Sequence, residues 1–110
     1  MAVLARMHGT HQGKWVYPLG RRCVLGRHAE CDISDLFNDN SSASRFHAVV
    51  ELAGGKYFVE DKGSRNRTYL NGKRLTAREA LRSGDCLGIA GVELTFLEEP
   101  DAASAVHFTS

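Results

Sequence analysis

The sequence predicts an all-β domain, an antiparallel β-sandwich of about ten to eleven short strands. Apolar residues recur with period two: Phe46, Ala48, Val50 and Leu52 alternate with His47, Val49 and Glu51, and Val92, Leu94 and Phe96 alternate with Glu93 and Thr95. Turn signals fall between such runs at Gly54-Gly55, Asn71-Gly72 and Ser83-Gly84-Asp85, and Gly-Gly and Asn-Gly pairs supply the positive φ angles of tight hairpins. With 110 residues, 43% apolar and 25% charged, the chain has enough hydrophobic material for one core and is not of disordered composition.

Taken in order, the expected strands begin with Val3 to Met7 and Lys14 to Leu19, the second carrying Trp15 as a core residue. Arg22 to Gly26 and Cys31 to Ser34 follow. Residues 35–45 form the longest polar connection, and long loops in small β domains are usually functional or mobile. Phe46 to Leu52 and Tyr57 to Asp61 come next, then a hairpin in which Thr68-Tyr69-Leu70 and Lys73-Arg74-Leu75 flank Asn71-Gly72. Thr76-Ala77-Arg78-Glu79 reads as a capping box opening a helical connector of a turn or two through Ala80 and Leu81. Cys86 to Ile89 and Val92 to Leu97 complete the set. Pro100 cannot continue a central strand, so the domain is placed at 1–97, with 98–110 as a tail or linker.

Several function classes fall away on composition. Fourteen Lys+Arg against thirteen Asp+Glu give +1, so no global field draws the chain to nucleic acid or membrane, and any anion recognition must be local. The opening apolar run ends at Arg6 and His8, too early for a signal peptide, and no stretch reaches the ~18 apolar residues of a membrane helix. The expected compartment is therefore cytoplasmic, and the Asn-x-Ser/Thr matches at Asn40 and Asn66 are chance. Cys23, Cys31 and Cys86 form no CxxC and are read as reduced, mostly buried small apolar residues. His8 and His11 are three apart, a spacing that could support a metal, but the region reads as strand and turn, which points the pair in different directions. There is no Walker loop, GxGxxG, HExxH or GxSxG, so the chain is read as non-catalytic and without cofactor or metal.

Polar residues gather instead at strand ends: Gly26-Arg27 closes one strand, Ser44-Arg45-Phe46-His47 opens another, and Asp61 to Thr68 links two more. Strand-end loops at one edge of a sandwich can converge. A pocket made there would hold Arg27, Arg45, Arg65 and Arg67, with Ser44, Ser64 and Asn66 as neutral donors. That inventory matches a tetrahedral oxyanion, because guanidinium forks bind phosphate oxygens bidentately and hydroxyl, amide and backbone N–H groups fill the remaining lone pairs.

These blocks resemble the forkhead-associated (FHA) family, whose pattern is Gly-Arg, then Ser-x-x-His, then Asp-x-x-Ser-x-Asn-Gly-Thr-x-x-Asn-Gly. Here they read Gly26-Arg27, Ser44-Arg45-Phe46-His47, and Asp61 through Ser64, Asn66, Arg67 and Thr68 to Asn71-Gly72; Leu81-Arg82-Ser83-Gly84-Asp85 resembles the family's Leu-x-x-Gly-Asp turn. The resemblance spans about Val16 to Leu97 and implies a sandwich of about eleven strands that binds phosphothreonine peptides. It implies that Arg27 holds the phosphate, that Ser44 donates a hydroxyl hydrogen bond to it, and that Arg45 and Arg65 add backbone N–H and charge. Asn66 would bond the ligand's main chain. Gly26, His47, Asn71 and Gly72 would support the loops without touching phosphate. Arg67 stands where the family has glycine; if that position needs a positive φ, it carries strain of about 1 to 3 kcal/mol.

The expected function is a non-catalytic phosphothreonine-peptide binding module acting in phosphorylation-dependent signalling. Its partner would be a protein or peptide phosphorylated on threonine by a Ser/Thr kinase, not nucleic acid or membrane. The alternative is a phosphate-independent assembly module built on the same scaffold.

Overall fold

The computed structural model describes residues 2–6 and 15–98, with Trp15 described by its backbone alone. Met7, His8, His11, Lys14, the Trp15 side chain and the tail from Glu99 onward lie outside the described residues. Ten strands form two antiparallel sheets: β1 (Ala2–Arg6), β2 (Trp15–Pro18), β3 (Arg22–Leu25), β4 (Ala48–Ala53), β5 (Lys56–Asp61), β6 (Thr68–Leu70), β7 (Lys73–Arg74), β8 (Glu79–Ala80), β9 (Cys86–Ile89) and β10 (Val92–Glu98). The larger sheet has the order β2-β1-β10-β9-β6-β7 and the smaller β3-β4-β5-β8. Their facing side chains make the core, in which Leu4, Leu25, Val50, Val59, Leu87, Ile89, Leu94 and Phe96 are at most 1% exposed. The hairpins are as expected: Asn71 and Gly72 take φ 53° and 83°, and Gly54 and Gly55 take 58° and 80°, angles of the type I′ turns that match strand twist.

Three expectations are corrected. Cys31 to Ser34 is not a strand; only Ile33 bridges to Leu25, while the Asp32 carboxylate accepts the Val24 N–H at 2.8 Å and turns the chain. The capping box at Thr76 opens no helix. Glu79–Ala80 pairs with Val59 and Phe58 of β5, the Leu81 N–H reaches the Tyr57 carbonyl at 2.8 Å, and Leu81 is buried. A sheet edge that buries a leucine outweighs one or two turns of helix with a costly nucleus. Strand β4 starts at Ala48, not Phe46, which is 46% exposed and stacks on His28 with centroids 5.0 Å apart.

The long 35–45 connection is pinned. Phe37 and Ala43 insert into the core at 0% and 2% exposure, and the Asn40 side-chain amide donates to the Ala90 carbonyl at 2.9 Å. Burial of the Phe37 side chain contributes about 1.5–3 kcal/mol towards holding the loop in place.

The β5–β6 connection is organised by Asp61. Its Oδ1 accepts from the Ser64 hydroxyl and from Thr68 Oγ1 (2.7 Å), and its Oδ2 accepts the Gly63 and Ser64 N–H groups, both at 3.0 Å. Burial alone raises a carboxyl pKa, but these four donors outweigh it and hold Asp61 below the ordinary carboxylate value. Immediately before β6, the chain turns through Arg67 at φ 67°, a left-handed conformation that a side chain makes costly.

Three outcomes follow for stability. A carboxylate with a depressed folded pKa contributes stability above its ordinary pKa and loses it as pH falls through the folded value. Urea unfolding of the native chain is therefore expected to weaken below about pH 4. Asp61→Asn is expected to cost about 1–3 kcal/mol at pH 7 and to show a shallower acid loss, since it has no charge to lose. Replacing Arg67 by Gly relieves the left-handed strain and is expected to stabilise by about 1 kcal/mol, raising Tm by about 4 °C or more in calorimetry; a lower Tm would contradict the strain.

Candidate functional site

The site begins with a close backbone approach. After β3, the Arg27 N–H donates to the Ser44 carbonyl (3.0 Å) and the His28 N–H to the Arg45 carbonyl (3.1 Å). Gly26 permits this: a Cβ there would lie 2.2 Å from the Arg45 oxygen and 3.0 Å from the His47 nitrogen, a collision only glycine avoids. The Cys31 thiol also donates to the Arg45 carbonyl at 3.1 Å, and burial raises its pKa so that it keeps the proton.

Arg27 is aimed by its own side chain. Its Nε donates to the Ala43 carbonyl at 3.0 Å, which fixes the guanidinium plane, and the residue is exposed and lines the hollow. Beside it the Ser44 Oγ accepts the Arg65 N–H at 2.9 Å. One lone pair is thus occupied, and the hydroxyl proton remains to be donated.

His47, wholly buried, ties these loops together. Its Nδ1 accepts the Ser44 N–H at 3.0 Å, so the ring proton sits on Nε2 and is donated to the Arg67 carbonyl at 2.7 Å. The imidazole therefore spans the Ser44 loop and the β5–β6 loop and touches no open surface.

The result is a hollow of about 210 Å³ lined by Arg27, Arg45, Arg65, Ser44, Ser41 and Ser42, with Ala43. No acidic side chain lines it, and no ion pair joins these arginines to a carboxylate among the described residues. Three guanidinium groups around a pocket of hydroxyls have the chemistry to hold an anion.

Of the residues expected from the sequence, Arg27, Ser44, Arg45 and Arg65 are brought together. Asn66 borders the adjoining surface; its side-chain amide donates to the Ser42 carbonyl at 2.8 Å, so one of its donors holds the loop. Ser64 is not a pocket donor: it is 1% exposed with its hydroxyl on Asp61. Arg67 does not line the hollow, and its guanidinium turns toward the Ser64 carbonyl at 3.4 Å. Asn71 donates to Asp85 Oδ1 (3.0 Å) and accepts the Cys86 N–H (2.9 Å), so with Gly72 it fixes the β6–β7 turn away from the hollow. Ser41 and Ser42 escaped the sequence reading, although the polar 35–45 loop that carries them was marked.

The FHA domain family model matches residues 23–90. An oxoglutarate dehydrogenase inhibitor of Corynebacterium diphtheriae is 42% identical over 79 residues, covering 72% of this chain and 52% of that protein. The glycogen accumulation regulator GarA of Mycolicibacterium smegmatis is 40% identical over 75 residues, covering 68% of this chain and 45% of that protein. The chain thus spans about half the length of the curated relatives it matches. Among solved structures, Mycobacterium tuberculosis EmbR in complex with a low-affinity phosphopeptide superposes with TM-score 0.74 at 28% identity, over 91% of this chain and 25% of that one. An FHA domain studied for phosphothreonine-dependent interactions superposes with TM-score 0.77 over 92% of this chain and all of that one (100%), at 19% identity, a likeness of fold. With the motif blocks, the ten-stranded sandwich and the family match over most of the β-sheet residues in agreement, the chain belongs to the FHA domain family.

Proposed function

We propose that the chain is a non-catalytic module that binds phosphothreonine peptides, with phosphate seated between Arg27, Ser44 and Arg65, flanked by Arg45. The observation that carries this reading is the setting of Ser44: its oxygen takes the Arg65 N–H, which leaves its proton to donate, and it lines a hollow ringed by guanidinium groups and free of carboxylates. Phosphothreonine carries about −1.5 to −2 charges at neutral pH, which such a ring neutralises. The relatives with phosphopeptide complexes support the same chemistry.

In this reading His47 and Gly26 act by positioning and Asn66 by contact with the ligand's main chain through its free carbonyl oxygen. Two or three charge-assisted hydrogen bonds at roughly 1.5–3 kcal/mol each, offset by association and ordering costs, give affinity in the micromolar range. That suits reversible signalling in a compartment containing Ser/Thr kinases. Among the described residues no helix is long and apolar enough to cross a membrane.

Titration calorimetry with a matched pair of peptides, phosphorylated and unphosphorylated on one threonine, tests the reading. Binding is expected for the phosphorylated peptide alone; equal binding to both would identify a phosphate-independent assembly module. Arg27→Ala is expected to weaken the phosphopeptide at least about tenfold while the amide NMR spectrum of the fold is preserved; unchanged affinity removes Arg27 from the site. Affinity is also expected to fall as salt rises, because the arginines around the hollow are exposed.

A further inference from the structure

The larger sheet presents an outer face beside the phosphate hollow, and its cross-strand register contains an anomaly. Gly88 of β9 pairs with Glu93 of β10 on one side and with Tyr69 of β6 on the other, so the three stand in one row across the face. The middle member has no side chain. Among the described residues Gly88 is the one glycine inside a strand, a position glycine weakens.

Nothing in the fold requires glycine there. Its φ is not positive, and a Cβ would meet a single atom within 4 Å, the Tyr69 Cβ at 3.4 Å, an ordinary contact. No atom of the Tyr69 ring covers the position, so the aromatic does not fill the gap. The space instead opens into a trough of about 570 Å³. Ser42 lines both the trough and the phosphate hollow, so the two are adjacent. Tyr69 forms a wall and is 41% exposed, and Glu93 is the one charged residue lining the trough. The Cys86 thiol donates to Glu93 Oε2 at 3.2 Å and orients that carboxylate.

An exposed aromatic face and an oriented carboxylate on either side of an empty floor are the elements that recognise a long cationic side chain: the ring takes the stem or the cation, the carboxylate the charge. We propose that this trough is a second subsite, taking one Lys or Arg side chain of the same ligand between Tyr69 and Glu93 over Gly88. The proposal rests on the phosphopeptide reading above. It runs against the bulk electrostatics of the arginine-rich hollow, which disfavours basic residues elsewhere in the ligand, so the effect is confined to one position.

The test is calorimetry on the full chain with a phosphothreonine peptide of alanine background and a series carrying a single arginine moved one position at a time. One position is expected to bind about fivefold more tightly than the background peptide. On E93Q and on Gly88→Val, the ratio between those two peptides is expected to collapse to near unity; because each ratio is taken on one variant, changes common to both peptides cancel. If the background peptide binds and no arginine position gains, or the gain survives both substitutions, the trough is not a cation subsite and the phosphate reading stands. If the background peptide does not bind, the phosphate reading falls and this subsite with it. Preference for aspartate or a second phosphate at the responsive position also overturns the proposal.

Discussion

The imidazole of His47 lies wholly buried between two loops, accepting the Ser44 N–H at Nδ1 and donating from Nε2 to the Arg67 carbonyl, and the placement of the polar groups around the hollow follows from that pair of bonds. The ring cannot satisfy both neighbours in the other tautomer, since Nδ1 must accept and Nε2 must donate. Ser44 is thereby held at the distance where its oxygen receives the Arg65 N–H. Arg67 is held where its backbone must turn through a positive φ. A strained residue persists where surrounding contacts over-determine it, and here the His47 bond on one side and the Asp61 cluster on the other do so. The cost of an arginine at a glycine position is met by the same network that builds the site.

Around this frame the division of labour is electrostatic. Asp61 draws four donors inward and keeps its negative charge out of the hollow, so the β5–β6 loop can present Arg65 outward while its acidic residue faces the protein. Arg27 is oriented by a backbone carbonyl and not by a carboxylate, which leaves its charge uncompensated. A chain of net charge +1 thus concentrates three guanidinium groups in one place without a globally basic surface. Recognition of this kind is local and depends on preorganised geometry more than on long-range attraction.

Much of this was legible in the sequence because its causes are local. Asn71-Gly72 and Gly54-Gly55 dictate their turns through φ alone, and period-two spacing in Val92, Leu94 and Phe96 fixes which face of β10 is buried. The strand-end arginines were found because the sandwich brings strand ends together. What escaped depends on partners distant in the chain. The direction of the Ser64 hydroxyl is set by Asp61, the disposition of the Asn66 amide by the Ser42 carbonyl 24 positions away, and the fate of the Thr76 capping box by the free edge of β5. Phe46 fits the apolar alternation of β4 yet lies outside the strand, because the backbone ahead of Ala48 is engaged by Arg27 and His28.

The most direct test of the account is a crystal structure of the chain bound to a phosphothreonine peptide. The account predicts phosphate oxygens within hydrogen-bonding distance of the Ser44 hydroxyl and the Arg27 guanidinium, with His47 still bridging the Ser44 nitrogen and the Arg67 carbonyl. A phosphate seated elsewhere, or a Ser44 hydroxyl turned away from it with the His47 bridge broken, would contradict the claim that one buried imidazole shapes the anion site.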